Sequence, residues 1–149
     1  MARDRGTRAR QLARELLVKA LYQWQIAGHS VAEITAQFQA MADFERCDRD
    51  YFGQLLGVII DESAALDALI ARQAVRAIEQ LDAVGRAILL LGLAELKFRD
   101  DVPTKVIINE AVELAKRYGA TDSFRFVNAV LDKTARDLNR HALAPGASA

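Results

Sequence analysis

The sequence predicts an all-α protein of six or seven helices in two packed bundles, split near Leu81. Apolar residues recur at helical spacing along most of the 149-residue chain, and no strand-like alternation of useful length interrupts them. Eight glycines and two prolines are too few for a turn-rich β architecture, for collagen or for a long disordered linker. At 52 % hydrophobic residues a chain of this length supports one domain with its own core.

The elements follow in order. From Thr7 to Ala27, Leu12, Leu16, Leu17, Ala20 and Trp24 fall on one side of a helix, with Arg8, Gln11, Arg14, Glu15 and Tyr22 elsewhere. Gly28 stops it. Ser30 and Glu33 form a capping box that opens a second helix with the stripe Val31, Ile34, Phe38 and Met41. After the charged break Glu45 to Asp50, Phe52, Leu55, Leu56, Ile59, Leu66, Leu69 and Ile70 continue as one helix to about Arg72. A further helix begins near Asp82 and is apolar on nearly every side through Ala87 to Ala94, so it must be covered on nearly every side and is central to the second half. Glu95 shares a face with Val84, Ile88 and Leu91, which makes it a candidate buried carboxylate, satisfied by backbone donors at a neighbouring helix end in preference to a catalytic role. Asp100 to Pro103 ends that helix and starts the next, which runs to Tyr118, where Gly119 offers a left-handed terminating residue. Thr121 or Asp122 caps a last helix with Phe124, Val127, Leu131, Ala135 and Leu138 inward, and the tail 141–149 is expected to fray.

Charge is zero in total and uneven in distribution. Six basic side chains face two acidic ones in residues 1–19, four face ten in 20–82, and ten face eight in 83–149. A basic arm beside an acidic middle suits one anionic and one basic partner. The lone Cys47 forms neither an internal disulfide nor a cysteine-based zinc site, and suits a reducing compartment. Met1 to Arg5 lacks the apolar stretch of a secretory signal, and no apolar run approaches the 18 or so residues of a membrane span, so the expected location is the cytoplasm.

Catalytic patterns are missing. His29 and His141 sit at a helix end and in the tail, and there is no H-E-x-x-H, G-x-S-x-G, P-loop or dinucleotide glycine pattern. Asp100 and Asp101 lie beside a proline at a helix boundary, where carboxylates cap or solvate a turn. The reading is therefore a non-enzymatic protein with no cofactor and no metal. The last helix is more informative: Asp122, Phe126, Ala129 and Lys133 form one stripe away from Phe124, Val127 and Leu131. Phe126 in that stripe either stacks on an unpaired base, with Lys133 meeting phosphate, or packs on another helix.

The segment Thr7 to Gln25 (TRARQLARELLVKALYQWQ), the segment Asp101 to Gly119 (DVPTKVIINEAVELAKRYG) and Phe126 to Asp132 (FVNAVLD) resemble the NusB family of bacterial transcription antitermination factors, over about residues 7–138. The resemblance implies one NusB-like RNA-binding domain, with helical sub-bundles over about 1–80 and 81–140. It implies binding of boxA-type single-stranded RNA together with NusE, a small-subunit ribosomal protein, on ribosomal RNA operons, with other Nus factors and RNA polymerase reached through the complex. Carried onto this chain, RNA falls to Arg8, Arg10, Arg14, Asp122 and Phe126, joined by Lys133 from the stripe above, and NusE to Tyr22, Glu79 and Asp82. The chain departs from the family pattern at Ala129 for glycine, Ala94 for tyrosine, and Gly85 for an acidic or polar residue. Two alternatives stand beside this reading: a helical protein-binding adaptor without salt-dependent RNA affinity, and an accessory domain related to the RNA-binding region of RNA cytosine methyltransferases.

Overall fold

A computed structural model describes residues 2–73 and 81–140, and within them the secondary structure is helical, with no strand. The elements are α1 (Ala2–Ala27), α2 (Val31–Gln39), a 3-10 helix (Ala42–Arg46), α3 (Arg49–Asp61), α4 (Ser63–Gln73), α5 (Ala83–Phe98), α6 (Thr104–Tyr118) and α7 (Ser123–Asp137). Helix α1 begins ahead of Thr7 and ends where expected: Gly28 takes φ +69 and donates its N–H to the Trp24 carbonyl. The capping box of α2 is present in both directions, Glu33 N–H to Ser30 Oγ at 3.1 Å and Ser30 N–H to Glu33 Oε1 at 3.1 Å. These bonds to Ser30 hold the Glu33 carboxyl below the usual carboxylate range.

Three boundaries differ from the sequence reading. Met41 lies past the end of α2, exposed at the head of the 3-10 helix that fills the charged break. The long third helix is two, α3 and α4, because the backbone turns at Glu62 (φ −101, ψ 16) with no glycine or proline to announce it. Gly119 is extended (φ −83, ψ 172) rather than left-handed, and glycine is needed there for space: a Cβ would lie 2.4 Å from Ser123 Oγ and 2.7 Å from the Ala115 carbonyl oxygen.

Helix α5 is the central element, packed against α1, α3 and α4 on one side and α6 and α7 on the other. Every residue from Ala87 to Leu96 is buried, as its all-round apolar pattern requires. Its start is capped by Asp82, whose carboxylate accepts the Gly85 N–H at 2.7 Å. Gly92 lets α7 approach closely, since a Cβ there would sit 2.8 Å from a Leu131 methyl carbon. Across the interface between the halves, Arg86 of α5 grips Asp67 of α4 through Nε (3.0 Å) and Nη2 (2.6 Å) and donates to Gln25 of α1 at 3.2 Å. The far end of α5 is closed by Arg140, 4 % exposed, which donates to the carbonyls of Glu95, Leu96, Arg99 and Val102. Coming from beyond α7 to the end of α5, this cation satisfies orphan carbonyls and meets the negative end of the helix dipole.

Candidate nucleic-acid interface

The arginines of α1 do not act as one arm. Arg8 is exposed and lies with Gln11 and Glu15 along the cleft between α1 and α6, opposite Asn109, Glu113 and Arg117. Within that cleft Gln11 donates to Glu110 at 2.8 Å, Arg117 approaches Glu15 at 3.4 Å, and the Tyr118 hydroxyl donates to the same Glu15. Arg10 points to a different cleft, where its guanidinium carbon stands 4.2 Å from the centre of the Tyr51 ring and its Nε 3.6 Å from Asp48. Asp48 caps α3 by accepting the Tyr51 N–H at 3.1 Å, and its own N–H donates to the Ala9 carbonyl at 2.9 Å, so the start of α3 is tied to α1 beside Arg10.

Arg14 lies inside the protein. It was expected among the RNA-binding arginines, yet it is 3 % exposed and its Nε donates to both oxygens of Glu95, at 3.2 and 3.0 Å. A guanidinium committed to a carboxylate in the interior offers phosphate nothing. Glu95 is buried as predicted, but its partners are side chains rather than a helix end: Arg14, and the Tyr51 hydroxyl, which donates to Oε2. Burial opposes the charge of Arg14, and Glu95 outweighs it, leaving the guanidinium pKa raised. Burial first and the Glu95 charge second push the Tyr51 phenol well above its ordinary value.

On α7, Asp122 stands at the cap position in the left-handed conformation (φ 64, ψ 5) and makes no side-chain cap hydrogen bond. Its carboxylate instead faces Arg125 at 3.9 Å, 70 % exposed. Phe126 is half-buried and packs on the edge of the core, while Ala129 and Lys133 on the same stripe are exposed. The inward face holds Val127, Val130, Leu131 and Ala135, whereas Leu138, expected inward, is 39 % exposed beyond the helix end. One feature has no signal in the sequence spacing: the half-buried Phe124 ring carries Lys116 Nζ at 5.1 Å and the Arg125 guanidinium at 5.2 Å, so cations from α6 and α7 converge on it.

A second surface lies on α1 and α5. Tyr22, 44 % exposed, lines an apolar groove of about 220 Å³ with Val18, Lys19, Val84 and Tyr118. Asp82 is exposed nearby in sequence to Val84, at the head of α5. Glu79 lies outside the described residues. Gly85, which departs from the family pattern, sits where a Cβ would come 2.9 Å from Leu81 and 3.0 Å from the Asp82 carboxylate, so the tight cap of α5 favours glycine. Among the described residues no cluster of three His, Cys, Asp or Glu side chains is arranged to hold a metal ion, and no helix is long and apolar enough to cross a membrane.

Comparison with known proteins places these features in a common frame. The model of the NusB family matches residues 11–136. The transcription antitermination protein NusB of Alcanivorax borkumensis is 51 % identical over 130 residues, covering 87 % of each chain. That of Photorhabdus laumondii is 48 % identical over 132 residues, covering 89 % of this chain and 96 % of its own. Among solved structures, Thermotoga maritima NusB superposes with a TM-score of 0.75 at 30 % identity, covering 85 % of this chain and 90 % of that one.

Proposed function

The chain belongs to the NusB family, and from that premise we propose that it acts in transcription antitermination, binding boxA-type single-stranded RNA together with NusE on ribosomal RNA operons. The observation that carries this reading is the near full-length match to relatives named transcription antitermination protein. The family is one of antitermination factors, in agreement with a chain that is not an enzyme.

In this reading RNA lies against the exposed cations Arg8 and Lys133, the half-buried Arg10 and the half-buried ring of Phe126, with Asp122 at the head of the same helix. Exposed guanidinium and ammonium groups attract the backbone without reading sequence, and an aromatic edge supplies a stacking platform for one unpaired base. Small Ala129 leaves the strand room to approach along the Phe126 stripe. NusE docks on the groove at Tyr22, with Asp82 at the head of α5 and Glu79 assigned to the same partner by sequence: the apolar floor gives it a surface to bury, and the acidic side chains orient a basic partner. Other Nus factors and RNA polymerase are reached through that complex, in the cytoplasm.

The test is a titration of a boxA-like strand and a scrambled one, each with and without NusE. Tighter, salt-dependent binding of the boxA-like strand, strengthened by NusE, is the expected result. Equal binding of both strands, or no salt-dependent RNA binding at all, overturns it in favour of a protein-binding adaptor.

A further inference from the structure

We propose that Tyr51 is a positioning residue for RNA binding: its ring holds the Arg10 guanidinium ready for a phosphate, and buried Glu95 fixes the ring. The inference rests on the RNA-binding reading and extends it to two side chains that touch no RNA.

Three observations carry it. First, the ring is anchored from inside the protein. Tyr51 is 2 % exposed and its hydroxyl donates to Glu95, which is 1 % exposed and held by Arg14. Second, the ring is shared by cations whose heads lie nearer the surface: the guanidinium carbon of Arg10 is 4.2 Å from its centre and that of Arg99 4.7 Å. Arg99 is spoken for by Gln54 at 3.1 Å and Asp101 at 2.8 Å, whereas among the described residues Arg10 has one ion pair, to Asp48 through Nε at 3.6 Å, with a third of its side chain exposed in a cleft it shares with Asp101 and Glu110. An incoming anion would compete with Asp101 and Glu110 of that cleft for the terminal nitrogens of Arg10, the ones outside the Asp48 ion pair. Third, the backbone under Arg10 is fixed as well, by the Asp48 N–H on the Ala9 carbonyl. An arginine free to sample rotamers loses that freedom when it grips phosphate; one already held over a buried ring has lost part of it beforehand. Stacking of this kind needs the planar guanidinium, so lysine is no substitute.

The experiment measures the affinity of a boxA-type single strand across a salt series for the full chain and for Arg10→Ala, Arg10→Lys, Tyr51→Leu, Tyr51→Phe and the double variant Arg10→Ala/Tyr51→Leu, below the melting temperature of each. Arg10→Ala is expected to flatten the log affinity against log salt slope by about 0.7, the value for one single-strand phosphate contact. Tyr51→Leu, which keeps the Arg10 charge, should weaken binding with less change of slope, the double variant should lose no more affinity than Arg10→Ala alone, and Tyr51→Phe, which keeps the ring but not its hydroxyl bond to Glu95, should fall between the parent and Tyr51→Leu. Arg10→Lys should bind closer to Arg10→Ala than to the parent, a readout that stands even where Tyr51→Leu fails to fold. Additive losses in the double variant, or parental binding by Arg10→Lys, overturn the positioning role while leaving Arg10 or RNA binding intact. Parental binding by Arg10→Ala overturns the role together with the Arg10 contact, and loss of all boxA binding by the parent chain marks the failure of the underlying reading instead.

Discussion

Arg14 and Glu95, 81 positions apart in the chain, close an ion pair inside the protein, Nη2 to Oε2 at 2.9 Å with side chains 4 % and 2 % exposed. The pair joins α1 to α5, and the Tyr51 hydroxyl brings in α3 on the same carboxylate. Breaking one side of such a pair strands a charge in the interior. Arg14→Leu should therefore cost about 3–5 kcal/mol in urea unfolding, while replacing the whole network as Arg14→Leu/Tyr51→Phe/Glu95→Leu should recover much of that loss. A loss below about 1 kcal/mol for Arg14→Leu would show that water reaches Glu95.

The same network makes stability fall in alkali. The Tyr51 phenol is the donor to Glu95, and its pKa is raised above the ordinary 10.0 first by burial and then by the Glu95 charge. The folded protein keeps a proton that the unfolded chain releases above pH 10, so this contribution is complete below pH 10 and is lost as pH climbs toward the raised value. Tyr51→Phe lacks the group. The stability difference between parent and Tyr51→Phe should shrink with pH above 10, by up to about 1.4 kcal/mol per unit. A difference that stays flat on passing into that range contradicts the assignment.

Arg140 provides an independent test at the other end of α5. Its guanidinium donates to Leu96 at 2.6 Å and to Val102 and the Thr104 hydroxyl at 3.0 Å each, with no carboxylate involved among the described residues. Arg140→Met fills similar space and leaves those carbonyls without a donor, at a cost of about 2–3 kcal/mol. A chain cut before residue 140 should show a comparable loss by thermal melting, because it removes the same cap.

Local chemistry was legible in the sequence and distant pairing was not. The capping box at Ser30, the stop at Gly28 and the enclosure of α5 each depend on residues within a few positions of one another, so spacing alone predicts them. The resemblance turns Arg14 toward RNA and the helical spacing sets it off the apolar side, and neither shows the buried carboxylate that holds it, 81 residues away. Gly119 was given the right residue type for the wrong reason, crowding rather than backbone angle. The turn at Glu62 left no trace, since the apolar spacing runs through it unchanged. Of the interface residues, Arg8 and Lys133 are as exposed as the pattern suggests, while the meeting of Lys116 and Arg125 on Phe124 depends on how α6 and α7 cross.

The double role of Asp82 changes how the NusE surface must be probed. Reversal to lysine would remove the carboxylate that accepts the Gly85 N–H and so loosen α5 as well as change charge. Asparagine caps helices about as well as aspartate, so Asp82→Asn combined with Glu79→Gln removes charge and keeps the cap. Association with NusE should slow by a few-fold at low salt and converge with the parent rate at high salt, because exposed charges chiefly steer encounter. Equal rates at low ionic strength would remove these two acids from the docking surface.

Phe126 separates stacking from packing, since it is half-buried at the edge of the core with Lys133 exposed on the same stripe. Truncation to alanine should cost about 1–3 kcal/mol of RNA affinity if a base stacks on the exposed part of the ring, and should leave the salt slope nearly unchanged because no charge is lost. Lys133→Ala and Arg8→Ala should behave in the opposite way, weakening boxA-like and scrambled strands alike and each flattening the slope by about 0.7. Melting curves recorded in parallel decide the remaining ambiguity: a Phe126→Ala protein that melts markedly lower yet binds boxA RNA normally while folded places the whole ring in the service of packing, and moves the stacking platform to another side chain of the α6–α7 corner.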